Sequence, residues 1–306
     1  MRVVVSLGNS ALSNPNLHLT SGDLFQGIHN AALSVHALLD AGHSVVLTFG
    51  HEHALDADPQ RTLHAHIPQV GNFKNQEVQR QGLIGYFLEQ ALRNSSNGKC
   101  HFATVITHIL VDRNDPAFAT SNGKISGVCV GDEVDETTAL NWEKYRRWTM
   151  KLCSNGYRRV VPSPTPICVL QSQAIKHLVS AQCYTVLCSG SGVAVTRDLQ
   201  NRETGVDALV DKDWAAAVLA HDIDADALLL LTDVLGVYDN WKTPERKLLS
   251  EICITDIDME SMEGTGMKPK LEAASWFAKF DKIASIGPIG NALEVLNGTI
   301  GTEVLK

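Results

Sequence analysis

Asp211, Lys212 and Asp213 stand together where an apolar run gives way to the Ala-rich stretch 214–220. An ammonium held between carboxylates at a strand-to-helix junction suits phosphoryl transfer, in which negative oxygens are gathered and neutralised. A second lysine, Lys270, follows Gly266 and Pro269, residue types that allow a tight turn and then the first turn of a helix. A lysine so placed can reach into a cleft, although either lysine can equally be an ordinary solvated side chain. Lys124, in a Gly- and Asn-rich stretch, can approach the same cleft from a lid. Asp211, Asp213 and Asp233 can orient Lys212, or hold Mg²⁺ through water and nucleotide oxygens. Asp213 can also serve simply as a carboxylate at a helix N-terminus.

Small-residue turns supply the phosphate-facing backbone. Apolar runs end at Gly8-Asn9-Ser10, at Gly50, at Ser189-Gly190-Ser191-Gly192 and at Thr232-Asp233. In a parallel α/β sheet such strand ends collect on one edge, where ligands bind. Glycine there lets backbone N–H groups approach a phosphate, and the next helix N-terminus adds positive potential. Neither the GxxxxGK[ST] loop nor the GxGxxG loop is present. His51, His53, His64 and His66 lie near Glu52, Asp56 and Asp58, but their spacing fits neither HExxH nor a closed zinc module, so the segment is read as a solvated loop with no metal site.

The elements that must position these residues alternate. An apolar strand at 3–7, a helix at 21–41 ended by Gly42, and a strand at 45–48 form a βαβ opening, which implies parallel pairing. A helix at 79–93, a single strand at 103–111, a helix at 172–180 and a strand at 184–188 follow. After them come a helix at 213–221, a strand at 227–232 and a helix at 269–280. Residues 282–306 add a strand, a helix near 291–296 and a short edge strand. Strands that are apolar almost throughout indicate an α/β sheet covered by helices on both faces. Residues 112–134, rich in Gly, Asn and Asp, read as a projecting lobe or lid.

The 306 residues can bury a large core in one domain. A formal charge of -8 argues against nucleic acid as a partner. Seven cysteines without CxxC or zinc spacing read as reduced thiols, and no run approaches 18 apolar residues. A soluble, cytoplasmic protein without membrane contact is expected.

Beyond these patterns, nearly the whole chain resembles the carbamate kinases of the amino acid kinase fold. The likeness is carried by Gln81-Gly82-Leu-Ile-Gly85-Tyr86, by 111–118, by Arg158-Arg159-Val-Val-Pro162-Ser163-Pro164, by 205–213, by 231–238 and by Met267-Lys-Pro269-Lys270-Leu-Glu-Ala-Ala. The resemblance implies a three-layer αβα sandwich around a mostly parallel sheet of about eight strands. It also implies a protruding subdomain within about 112–156, a homodimer, and transfer of phosphate between carbamoyl phosphate and ADP with Mg²⁺. Lys212, Lys270 and Lys124 match family lysines near the transferred phosphate, and Asp211 matches the carboxylate that organises them. Tyr238, Thr232 and Asp233 match the nucleotide (ATP/ADP) side, with Trp241 or Met267 near the base.

The chain departs from the family at its first two turns. Gly-Gly-Asn becomes Gly8-Asn9-Ser10, and His-Gly-Asn-Gly becomes Phe49-Gly50-His51-Glu52. These changes leave three readings: a divergent carbamate kinase, a kinase for another small carboxylate, and a non-catalytic nucleotide-binding or regulatory homologue.

Overall fold

The computed structural model describes residues 1–8, 21–50, 73–98, 100–121, 124–125, 127–181, 185–241, 243–257 and 266–306. The chain opens with β1 (Arg2–Leu7), α1 (Ser21–Asp40), β2 (Ser44–Phe49) and α2 (Phe73–Ser95). β3 (Phe102–Val105) and β4 (His108–Val111) come next. The peripheral run has a hairpin of β5 (Thr120–Ser121) and β6 (Lys124–Ile125), then β7 (Val128–Val134), α3 (Glu136–Arg146), β8 (Thr149–Leu152) and β9 (Tyr157–Val161). β10 (Pro166–Val169), α4 (Ser172–Ser180), β11 (Thr185–Ser189), β12 (Val193–Arg197) and β13 (Glu203–Gly205) lead to α5 (Lys212–Asp222) and β14 (Ala227–Thr232). A hairpin of β15 (Tyr238–Asp239) and β16 (Lys247–Leu248) precedes β17 (Glu251–Cys253) and α6 (Met267–Ala278). β18 (Ile283–Pro288), α7 (Ala292–Leu296) and β19 (Thr302–Leu305) close the fold.

Eight strands form the main sheet in the order β17-β19-β18-β14-β1-β2-β11-β3. Every neighbouring pair is parallel except β18 with β19. The apolar runs have a physical cause. Val3, Val5, Leu7, Val45, Leu47, Phe49, Leu229 and Leu231 pack toward α1, α2 and α7. The alternating residues Val4, Val46, Leu228, Leu230, Ala284 and Ile286 pack toward α5 and α6. Side chains alternate across a strand, so a sheet covered on both faces must be apolar at both parities. The expected αβα sandwich is thereby found.

One expectation fails. Residues 103–111 are not one strand but two, in different sheets: β3 ends the main sheet, while β4 joins a second sheet ordered β10-β4-β12-β13. The break comes at Thr107, whose backbone N–H donates to Gln81 Oε1 at 2.9 Å instead of to a strand neighbour. Gln81 Nε2 in turn donates to the Thr107 carbonyl at 3.4 Å. A buried glutamine thus takes the backbone N–H where the chain changes sheet, while the carbonyl also accepts from the Val193 N–H of β12 at 2.9 Å.

The peripheral run builds a three-stranded antiparallel sheet, β7-β9-β8, with α3 beside it. Among its described residues Val130, Met150, Val160 and Val161 are buried, and Val130 and Val161 pack with Leu209 of the main body. Arg159 reaches Asp207 at 3.0 Å, and its guanidinium lies 4.1 Å over the Trp148 ring.

Candidate active site

β1 lies between β14 and β2, so strand order reverses on either side of it, and the carboxyl ends of these strands share one edge. Turn backbones lash that edge together. Gly8 N–H donates to the Leu231 carbonyl at 3.0 Å, Gly50 N–H to Leu7 at 3.1 Å, and Gly190 N–H to Phe49 at 3.0 Å. Gly190 also has a steric role. A Cβ there would sit 2.9 Å from Lys212 Cβ, so glycine admits the head of α5 against the turn. Gly192, at φ +54°, lies against Ile109, where a Cβ would fall 2.5 Å from Cγ1.

Asp213 is the centre of the arrangement. Lys212 Nζ donates to its Oδ1 at 2.7 Å, Lys270 Nζ donates to its Oδ2 at 2.7 Å, and Ser6 Oγ donates to Oδ1 at 2.9 Å. All four side chains are buried. Lys212 is supplied by the first residue of α5, and Lys270 by the first turn of α6. Two helices from different parts of the chain therefore aim their N-terminal turns at one carboxylate.

The family resemblance gave Asp211 as the organising carboxylate, where the residue pattern alone left Asp213 open beside it, and the structure puts the lysine contacts on Asp213. Asp211 Oδ1 accepts from the backbone N–H groups of Asp213 and Trp214, each at 2.9 Å, which makes it the N-cap of α5. The direct lysine contacts belong to Asp213, two positions into the turn.

Burial alone would raise the Asp213 carboxyl, but the Lys212 and Lys270 ammoniums outweigh it and hold the group far below the usual carboxylate range. Burial also opposes the charge on Lys270, and the Asp213 carboxylate overcomes it, so Lys270 is raised. At Lys212 burial wins over the attraction of Asp213, and that lysine is lowered. Asp211 is pushed up by burial and by the Asp213 charge. Two ammoniums share one ionised carboxylate directly, so the pair retains capacity to meet a second anion.

A polar row reaches the same edge. Ser6, Thr48 and Thr232 are buried and share the strand parity of Val4, Val46 and Leu230, which face α5 and α6. Ser6 and Thr48 are register partners. Sequence reasoning missed Ser6 and Thr48; the available signal was a hydroxyl interrupting an apolar strand just before its terminal turn. The Thr232 hydroxyl donates to the exposed Asp233 at 3.0 Å. Beyond this turn, the Tyr238 and Trp241 rings lie 5.2 Å apart, with the Arg246 guanidinium 5.5 Å over Trp241. Met267, half-buried at the start of α6, packs on the α5–α6 side of the core.

The remaining expected site residues fall wholly or partly outside the described residues. The Lys124 backbone pairs with Ser121 in the β5–β6 hairpin, and its side chain is outside the described residues. Asn9, Ser10, His51 and Glu52, the altered positions, also lie outside the described residues, as does the histidine-rich segment through residue 66.

The sequence profile of the amino acid kinase family matches residues 1–286. The chain belongs to the amino acid kinase family. Among its relatives in that family, the carbamate kinase of Clostridium perfringens is 33% identical over 320 residues, covering 100% of both chains. The carbamate kinase of Pyrococcus horikoshii is 32% identical over 317 residues, covering 99% of this chain and 98% of the relative. The crystal structure of Giardia lamblia carbamate kinase bound to AMP-PNP superposes with a TM-score of 0.86 at 29% identity, covering 100% of this chain and 98% of that one. As an amino acid kinase, this chain places its two buried lysines on the sheet edge where that fold class binds ligands. No helix among the described residues is long and apolar enough to cross a membrane.

Proposed function

We propose that this amino acid kinase is a carbamate kinase-type phosphotransferase, moving phosphate between carbamoyl phosphate and ADP. The observation that carries the reading is the pair of buried ammoniums, Lys212 and Lys270, held 2.7 Å from opposite oxygens of Asp213. Phosphoryl transfer asks the protein for position and positive charge more than for covalent chemistry. Asp213 fixes both ammoniums before substrate arrives, so little reorganisation is left for the transition state, in which charge spreads over the phosphoryl oxygens. The Gly8, Gly50, Gly190 and Gly192 turns supply the close backbone approach. Tyr238, Trp241, Thr232, Asp233 and Met267 form the nucleotide side in this reading. Asp211 acts through the helix that carries Lys212.

Mg²⁺ fits the nucleotide rather than the lysine cluster. Both oxygens of Asp213 are occupied by donors, and Asp211 Oδ1 holds two backbone N–H groups, whereas Asp233 is exposed. Asp233 would hold the ion through water, with the remaining positions left to phosphate oxygens and solvent. Bound there, the ion neutralises phosphate charge. The lobe within 112–156 is proposed as a lid bringing Lys124 over the edge. The protein is proposed to be cytoplasmic and a homodimer. The exposed Phe25, Leu33, Leu83 and Tyr86 of α1 and α2 offer an apolar face for the partner.

The test is ATP formation from carbamoyl phosphate and MgADP, run beside a panel of small acyl phosphates. Wild-type protein turns over with carbamoyl phosphate, and Lys212→Ala or Lys270→Ala lowers kcat by at least about 10²–10³-fold. Folded protein that binds no nucleotide at millimolar concentration would refute the reading. Binding without turnover on any acyl phosphate would leave the regulatory homologue standing, and turnover on a different acyl phosphate would reassign the acceptor.

A further inference from the structure

Cys129, on β7, and Cys153, directly after β8, place their sulfurs 3.9 Å apart, although the two residues are 24 positions apart in sequence. Because β9 runs between β7 and β8, flat strands would keep these side chains separate. The contact exists because the turn at 153–156 folds onto an irregularity in β7. The β7–β9 register shifts between Val130 and Val134, and Gly131 within that span adopts φ +72°. Arg158 Nε donates to the Gly131 carbonyl at 2.7 Å, and Asn155 N–H donates to Glu133 Oε2 at 3.1 Å. A Cβ at Gly156 would lie 2.7 Å from the Val134 carbonyl oxygen, so only glycine permits this approach. Cys153 N–H closes the turn on the Gly156 carbonyl at 2.7 Å. Both cysteines are half-buried, so solvent reaches them, unlike the buried Cys188 of the main core.

We propose that Cys129 and Cys153 form an oxidation site, closing to an intramolecular disulfide by exchange with a low-molecular-weight disulfide. One protein thiolate attacks the small disulfide and expels one small thiolate, leaving a mixed disulfide on the protein. The second protein thiolate attacks the protein sulfur of that bond and expels the other small thiolate. One S–S bond forms in the protein and one is lost from the oxidant. Two electrons pass from the protein thiols to the small molecule, and the two thiol protons go to the released thiolates. From van der Waals contact the sulfurs need to approach by roughly 2 Å to bond, a movement that side-chain rotation supplies. The bond would close the segment from β7 through α3 and β8, thinly cored by its own residues. The inference does not depend on the catalytic reading.

The experiment exposes folded, full-length protein to oxidised glutathione at mildly alkaline pH, because burial and the neighbouring Cys129 push the Cys153 thiol up, with Arg158 acting the other way. Remaining thiols are then blocked, and the protein is mapped by mass spectrometry with and without reductant. The expected product is a linked Cys129–Cys153 peptide lacking two hydrogens, reversed by reductant, with a Tm several degrees higher than the reduced protein. Cys129→Ser and Cys153→Ser each arrest at a single glutathione adduct on the remaining cysteine. Wild-type protein that keeps both thiols free, stops at a stable glutathione adduct, or links either residue to another cysteine overturns the proposal. The wild-type peptide map decides the matter even if a serine variant fails to fold.

Discussion

Two charged clusters in this molecule solve the problem of holding a cation in opposite ways. At the head of α5, two ammoniums share the Asp213 carboxylate inside the protein, with a serine hydroxyl completing the contacts. At the peripheral sheet, Arg159 meets Asp207 at 3.0 Å while Arg146 and Arg159 both lie over Trp148, at 4.8 and 4.1 Å. The first cluster is dry, so its charges interact strongly and any unmatched member is costly. The second keeps a wet rim: the Asp207 side chain is 33% exposed and that of Arg159 is 13% exposed. Buried ion pairs are poor devices for stability, because desolvation consumes most of the attraction. Placing two cations on one anion in the interior is therefore hard to explain by folding alone. It is readily explained by a site that must meet another anion. The rim cluster, by contrast, can open and close at small cost.

The comparison breaks most severely at Asp213. Asp213→Asn leaves two buried ammoniums without their carboxylate, so a loss of about 3–5 kcal/mol is expected in urea unfolding. Turnover should fall with it. Lys212→Ala costs less stability, since Asp213 retains Lys270. The pH dependence gives a second handle. The folded-state value of Asp213 is depressed, so its contribution is fully present above the ordinary carboxylate pKa of about 3.9 and is lost as pH falls through the folded value. Lys270 is raised, so its contribution is present below the ordinary lysine value and is lost as pH rises through the folded one. Asp213→Asn should accordingly flatten the acid limb of stability against pH. An unchanged acid limb would show that other carboxylates carry it.

Asp211→Ala sharpens the same comparison within one helix turn. Loss of an N-cap costs about 0.5–2 kcal/mol, and the Lys212–Asp213–Lys270 contacts should survive. Stability should drop by that amount, with kcat much less affected than in Asp213→Asn. Equal losses of kcat in the two variants would return the organising role to Asp211.

Much of this was legible in the sequence, for identifiable reasons. The doubly buried sheet writes itself as apolar runs, so strands such as 3–7 and 227–232 were found close to their observed bounds. Lys212 stood out because it lies between two carboxylates where an apolar run ends, and Lys270 because it follows Gly266 and Pro269. The choice between Asp211 and Asp213 was not legible, because both sit at the helix head and only the phase of the first turn decides which faces Lys270. Ser6 was hidden because a lone serine in a strand looks ordinary until its parity is set against Val4. The division of 103–111 was hidden too, since an apolar run does not reveal that Gln81, more than twenty residues earlier, will interrupt it. Helix α3 has a polar sequence, and its readable signal was only Asp135, which caps Thr138 N–H at 2.8 Å.

The smallest effect is expected at the rim, and it tests whether that cluster restrains the peripheral sheet. Arg159→Lys keeps the charge facing Asp207 but removes the planar group that stacks on Trp148. Cation–π and partly exposed ion-pair contributions of this kind are each about 0.5–1 kcal/mol, so global unfolding should shift little. Local behaviour should shift more. Among the described residues the sheet buries four apolar side chains, Val130, Met150, Val160 and Val161, far fewer than the main sheet, so amide exchange along β8 and β9 should quicken. Exchange in β1 and β14, whose strands are buried on both faces, should stay as it was. If the main sheet quickens equally, the rim cluster is part of the cooperative core, and the contrast between the two clusters fails.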